Sequence, residues 1–502
     1  MSDSLLTAKG TAVSQPSINR WLVLFAVAVG VLFLVGTLLP LRFFLVLFAA
    51  LLGLPLALAA SDRKRFFLII LVLALPLGVA KTFAFSPSTY YRSAYGFTVS
   101  TAYLPLLALS FIWFFRRVYG DQPLPMSTRG LLPLAGLCAT AVLSTALISE
   151  PAASKMYAVF NLFELAFSVL MFIYMASEIR EKRELRLVVT LVIIIGVLQA
   201  LIAIGQNLTG SFLGLGFLGA RKAITGYVGL MTLSRVTGTL GHPAILAEFF
   251  DIIIPISFSL LFYPMSRPLK FFLGLAVILE FIGTGMSYSR GSITWTLMAS
   301  GAILLFHLCR RVGLARGVFA TLSVCVLAGF LLLVIPNPLV KGLFRTEPGT
   351  AYGRLPLMKV AYNMIGHHPL LGVGLSNYVP VALRYDFTPE QLTRDWNSAV
   401  HNVYLFLAGE IGLIGLFFFL SLLATVLWRL WPTVLSADPL IACAGLGVLA
   451  ALVVTFLHWT TDLSSWSSNR FFWFTLGLAV SVRRLADATP DSIPGTQAAA
   501  AG

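Results

Sequence analysis

The chain has 502 residues, of which 58% are hydrophobic and only 11% charged, with a formal net charge of +15. A mean hydropathy of +0.90 excludes a soluble globule with a charged surface. What remains is a polytopic membrane protein.

A membrane helix needs roughly 20 apolar residues. Such runs occur in chain order at 21–40, 41–60, 66–84, 98–115, 131–149, 157–177, 187–205, 244–263, 271–286, 292–308, 317–335, 402–427, 439–457 and 471–482. The first two flank Pro40 as a tight hairpin and the last is short, so the expectation is an all-α integral membrane protein with about 12–14 transmembrane helices. Lys and Arg resist export. Arg63-Lys64-Arg65, Arg116-Arg117, the run 178–186, Arg267 with Lys270, Arg310-Arg311 with Arg316, and Arg483-Arg484 then share the cytoplasmic side. The resulting organisation is a cytoplasmic tail 1–20, N-terminal helices 21–205, and central helices within 206–335 that include a periplasmic loop 206–243. A large periplasmic segment 336–400, C-terminal helices 401–482 and a cytoplasmic tail 483–502 follow. Residues 1–20 lack a cleavable signal pattern, which makes the first span an uncleaved anchor. The Ala-rich tail reads as disordered.

On this topology fifteen Lys and Arg face outward against six Asp and Glu. Positive charge on the translocated side works against insertion, so it points to an anionic, membrane-anchored ligand; attraction to lipid head groups or anionic glycans is the alternative. Nucleic acid is not an expected partner. Cys138, Cys309, Cys325 and Cys443 sit in spans or at a cytoplasmic helix end, so no disulfide is expected. There is no zinc spacing, no Asp-x-Asp pair and no phosphate-binding glycine loop. No metal, nucleotide or other cofactor is therefore expected, and a cytoplasmic nucleotide-dependent enzyme is set aside.

Three constellations carry chemistry. Ser289-Arg290-Gly291-Ser292 is a very short outward turn that keeps Arg290 at the interface, where its guanidinium can grip a phosphate with two parallel hydrogen bonds. The alternative is a snorkelling arginine that ends a helix. Next, Tyr352-Gly353-Arg354-Leu355 precedes His367-His368-Pro369-Leu370-Leu371-Gly372-Val373-Gly374. This reads as a short amphipathic surface segment with Arg354 and Met358 four apart, above a Gly-x-Gly turn of close backbone approach. Finally, His401-Asn402-Val403-Tyr404 enters an apolar run containing Gly409, Gly412 and Gly415, after a segment that also holds Arg345, Lys359, Arg384 and Arg394. Imidazole titrates near neutrality and suits a base that accepts a hydroxyl proton; a helix cap is the alternative. The glycines suit close helix packing in lipid. Tyr378, Tyr385, Trp396 and Asn397 offer groups that stack on sugars or meet a lipid core.

In this order and on one expected face, the motifs resemble the O-antigen ligase and polymerase superfamily over roughly residues 230–430. The residues concerned are Arg235-Val236-Thr237-Gly238-Thr239 with Gly241-His242-Pro243, then Ser289-Arg290-Gly291, then Gly353-Arg354, and His401-Asn402 through Gly412. The family's histidine, ten residues and glycine are met by His401 and Gly412, whereas its Arg-x-x-x-Leu is met only as Arg354 with Met358. The N-terminal 200 residues match as a hydropathy profile alone. The resemblance implies a GT-C-type glycosyltransferase of the bacterial inner membrane. Such an enzyme takes a glycan from polyprenyl diphosphate and, on the outer face without metal or ATP, passes it to a lipid A core, a growing glycan or a protein hydroxyl. It implies His401 as general base with inversion at C1, and Arg290 and Arg354 as the grip on the diphosphate. Arg235, Lys359, Asn402, Tyr378 and Trp396 would be further substrate contacts. Ligation to lipid A-core is the preferred reading, and an O-antigen or exopolysaccharide polymerase with the same donor is the alternative.

Glu164, Glu248, Asp251, Glu280 and Glu410 fall inside spans, Glu248 and Asp251 three apart on one helix face. Intramembrane carboxylates mark ion or proton paths, so a glycan or lipid transporter is the reading from another class. The lack of half-to-half similarity weighs against it, and structurally paired carboxylates are the preferred account.

Overall fold

A computed structural model describes residues 60, 62–84, 96–118, 128–148, 150, 153–221, 224–228, 231–323, 354–395 and 399–488. Met1–Arg63 and Lys64–Gly502 form separate units, and the description concerns the second. The expected span 21–40, all but the last residue of 41–60, most of 317–335, the expected tail 1–20, residues 489–502 of the expected tail 483–502 and Trp396 lie outside the described residues, whereas 483–487, expected in the disordered tail, continue the last helix.

Among the described residues the helices longer than two turns include α1 (Arg63–Ala74), α2 (Tyr103–Val118), α3 (Thr128–Ala146), α4 (Lys155–Glu178), α5 (Lys182–Thr209), α6 (Pro243–Leu260), α7 (Arg267–Met286), α8 (Arg290–Val312), α9 (Arg354–His367), α10 (Val403–Leu430), α11 (Pro439–Trp459) and α12 (Arg470–Asp487). Among the described residues seven helices, α4 to α8, α10 and α11, are long and apolar enough to cross a membrane. The chain is an all-α multi-pass membrane protein. The apolar run 66–84 is not one helix. α1 stops at Ala74 because Pro76 cannot donate to a further turn, and the chain turns instead into an antiparallel hairpin of β1 (Ala80–Phe83) with β2 (Phe97–Ser100). The expected loop 206–243 also holds a hairpin, β3 (Ile224–Val228) with β4 (Met231–Arg235), which pairs Ile224 with Arg235.

Helix α6 is hydrophobic almost all round, as a helix enclosed by neighbours must be. Pro243 opens it and the His242 imidazole accepts the Ala244 N–H at its cap. It packs against α7, α8 and α11. Lipid removes the hydrophobic drive between helices, leaving close packing and interhelical hydrogen bonds of about 0.6–2 kcal/mol each. Gly447 supplies the packing: a Cβ there would lie 2.8 Å from Ile256 Cα. Ser259 Oγ donates to the Cys443 carbonyl at 2.8 Å across the same contact, and Ser481 Oγ of α12 donates to Met175 of α4 at 2.6 Å. Cys138, Cys309 and Cys443 are free thiols.

The segment after α9 is built into a break in α10. Ile411 and Gly412 leave the helical conformation, with Gly412 at φ +73°, which frees the carbonyls of Gly409 and Glu410. Val373 N and Gly374 N donate to those two carbonyls at 2.9 and 2.8 Å, and Leu413 N donates to Pro369 O at 2.7 Å. The crossing segment thus replaces helix bonds lost at the break, as a membrane interior requires. α9 is amphipathic, burying Pro356, Leu357, Val360, Ala361 and Met364 while Arg354, Leu355 and Lys359 stay exposed. Glu150, beyond α3, anchors the following turn by an ion pair with Arg384 at 2.8 Å and by accepting the Tyr385 hydroxyl at 2.8 Å.

Candidate active site

Four chain segments meet at one end of the bundle: the end of β4, the turn from α7 to α8, the start of α10 and the turn from α11 to α12. Val236 N donates to Met286 O at 3.4 Å and Arg235 Nε to Ser287 O at 2.9 Å, which stitches β4 to the turn before Arg290. Ser289 caps α8 by accepting the Ser292 N–H. Gly291 then lets α8 touch α11, since a Cβ there would lie 2.9 Å from His458 Cδ2. At the start of α10, Asn402 Oδ1 accepts the Leu405 N–H at 3.0 Å while its Nδ2 donates to Thr460 O at 3.1 Å. That cap binds the residue after His401 to the turn that carries Asp462.

The polar groups form a line running inward. His401 Nδ1 lies 3.7 Å from Asp462 Oδ1, an ion-pair distance longer than a hydrogen bond. Asp462 Oδ2 lies 3.4 Å from His458 Nε2, and His458 Nδ1 is 2.5 Å from Asp251 Oδ2. Ser292 Oγ donates to Asp251 Oδ1 at 2.5 Å. Side-chain exposure falls from 38% at His401 through 23% at Asp462 to 2% at His458 and 1% at Asp251. The line therefore begins at a surface and ends in the core. Burial pushes the Asp462 pKa up, but the neighbouring His401 and His458, with the charge of His458 and the Leu463 N–H, hold it well below the usual carboxylate range. The same carboxylate opposes the desolvation of Arg235.

The sequence-derived residues separate accordingly. His401, Arg235 and the start of α8 with Arg290 come together here. Arg354 and Lys359 stand exposed on α9 and make no ion pair among the described residues. Asn402 has a structural part as well: its Oδ1 caps α10 and one Nδ2 hydrogen goes to Thr460 O, which positions His401. Tyr378 is a correction. It is 1% exposed, packed on Phe406 and over Gly409, with no open face for a sugar, and Tyr385 is likewise buried. Among the acids, Asp251 is paired as above, and Glu248 Oε2 accepts from Ser464 Oγ and Asn469 Nδ2, both at 2.9 Å, pinning the Asp462 turn.

Residues 275–420 match the family described as O-antigen ligase. The match supports the O-antigen ligase and polymerase superfamily and, with it, an activity of that general type on glycan and lipid substrates. No curated protein matches the chain. The O-antigen ligase region contains Arg290, Arg354, His401 and Gly412, whereas Arg235, Asp251, His458 and Asp462 lie on either side of it. Sequence reasoning left His458 and the Asp462 contact unread. Their signal was there: a histidine and an aspartate four apart, about one helical turn, stand at the end of an apolar span.

Proposed function

We propose that the protein is an O-antigen ligase-like glycosyltransferase that moves a glycan from polyprenyl diphosphate to a hydroxyl of a lipid A-core acceptor, on the periplasmic face of the bacterial inner membrane. The supporting observation is the partly exposed His401 set against Asp462 where Arg235 and the start of α8 also arrive. With Nδ1 turned to Asp462, Nε2 is the nitrogen left for an acceptor. It takes the hydroxyl proton, the oxygen attacks C1 of the sugar, and the C1–O bond to phosphate breaks with its electron pair leaving on the diphosphate. Configuration at C1 inverts. Asp462 stabilises the imidazolium that forms. Arg235 and Arg290 supply planar positive groups that stabilise charge building on the diphosphate, and Arg354, exposed on α9, would have to meet that diphosphate from outside the cluster. Lys359, exposed on α9, belongs to the approach surface of the glycan, and a GT-C-type fold goes with this reading.

The test is purified protein in nanodiscs with a polyprenyl-diphosphate-linked oligosaccharide, lipid A-core and free glycan being offered separately. Glycosylated lipid A-core is the expected product, and His401→Ala should slow turnover by roughly 100-fold or more while inserting normally. Near wild-type transfer by folded His401→Ala overturns the base assignment. Extended glycan without a lipid A-core product replaces ligation with polymerisation, and movement of intact donor without transfer favours a transporter.

A further inference from the structure

Behind Asp462 lies a buried pair that the reaction above does not use. Asp251 and His458 are almost fully enclosed, so neither touches a substrate, yet an ionisable pair at the depth of a membrane helix is costly to keep. We infer that Asp251 and His458 are positioning residues for the base: His458 holds the Asp462 carboxylate toward His401, and Asp251 with Ser292 holds His458. The inference rests on the reading of His401 as the general base.

His458 stands between two carboxylates, Asp251 Oδ2 at 2.5 Å from Nδ1 and Asp462 Oδ2 at 3.4 Å from Nε2. Ionised carboxylates only accept, so one imidazole serves both only as the imidazolium with two N–H donors. Asp462 is held at its other oxygen as well, since Oδ1 accepts the Leu463 N–H at 2.7 Å. A carboxylate fixed at both oxygens keeps one orientation toward His401. The other groups around His458 are Gly291, Thr461 and Ser289. Ser289 Oγ lies 3.4 Å from Nε2 but is buried and engaged as the α8 cap, which sets aside a nucleophilic serine. Because Ser292 stands two residues after Arg290, the support also joins the base to the helix that begins with that arginine.

The experiment uses full-length protein in nanodiscs, a radiolabelled polyprenyl-diphosphate oligosaccharide and lipid A-core, with released polyprenyl diphosphate as readout. His458→Gln and Asp251→Asn should each lower kcat by about 10-fold or more, with donor KM changed by less than about 2-fold. His458→Gln, which keeps a side-chain donor for Asp462, should retain several-fold more activity than His458→Ala. Placed on His401→Ala, either change should reduce turnover by less than about a further 2-fold, because all three act through one imidazole. A fully multiplicative loss in the double variant, wild-type kcat in folded His458→Gln, or a rise in KM alone overturns the inference. If His458 variants fail to insert, Asp251→Asn carries the same comparison. Near wild-type His401→Ala removes the base reading itself, whereas a crippled His401→Ala with multiplicative His458 loss removes only the positioning pair.

Discussion

Asp462 stands between two imidazoles, and its ionisation is what each of them meets. Its pKa is depressed even though burial pushes the other way, so the ionised carboxylate contributes stability above its unfolded pKa of about 4. As pH falls below that value toward the folded pKa, the contribution is progressively lost. The gap in thermal unfolding temperature between wild type and Asp462→Asn, measured in detergent, is therefore expected to be wide at pH 7 and narrower at pH 3. An equal gap at both would show that charge is not what the imidazoles hold. Asp462→Asn should also transfer more slowly than wild type, since an amide stabilises an imidazolium less than a carboxylate does.

At the scale of elements, the ten-residue spacing from His401 to Gly412 is explained by the break in α10. A Cβ at Gly412 would lie 2.0 Å from the Leu370 carbonyl, on a backbone with positive φ, so this position admits only glycine without displacement of the segment that crosses it. Gly412→Ala is expected to destabilise by about 2–4 kcal/mol, a large single-site effect from strain that cannot relax, and to loosen the 369–374 segment that follows α9. Leu413→Ala, at a half-exposed neighbouring position, should change the unfolding midpoint little. Limited proteolysis after α9 together with thermal unfolding checks both. A Gly412→Ala protein as stable as wild type would show that the crossing segment has another way to sit.

Over the whole molecule, the proposed function gives cationic side chains the part that a divalent ion plays elsewhere in diphosphate chemistry. The chain has no Asp-x-Asp pair and no phosphate-binding glycine loop, while arginines recur through the segments expected to face outward. Transfer is expected to proceed in EDTA with lipid-linked donor alone and without nucleotide. Activity lost in EDTA and restored only by added magnesium would contradict this.

The amino-acid sequence by itself determined the membrane class, most helices and the order of the motifs. Runs 244–263 and 439–457 became Pro243–Leu260 and Pro439–Trp459 because hydropathy over a helix length is a local property and a proline at the first helical position marks where it begins. That Arg290 and Arg354 open helices and His401 stands just before one was legible for the same reason, each lying where an apolar run meets polar chain or within a recognisable spacing. The tertiary structure alone decided how those residues pair. Tyr378 looked like a substrate contact until packing enclosed it, and His458 acquired its place only when α11 came against α6 and brought Asp251, 207 residues earlier, onto its Nδ1. Which groups of one helix face those of another depends on crossing geometry and on small residues such as Gly291 and Gly447 at the contact. Neither composition nor periodicity along a single segment contains that information.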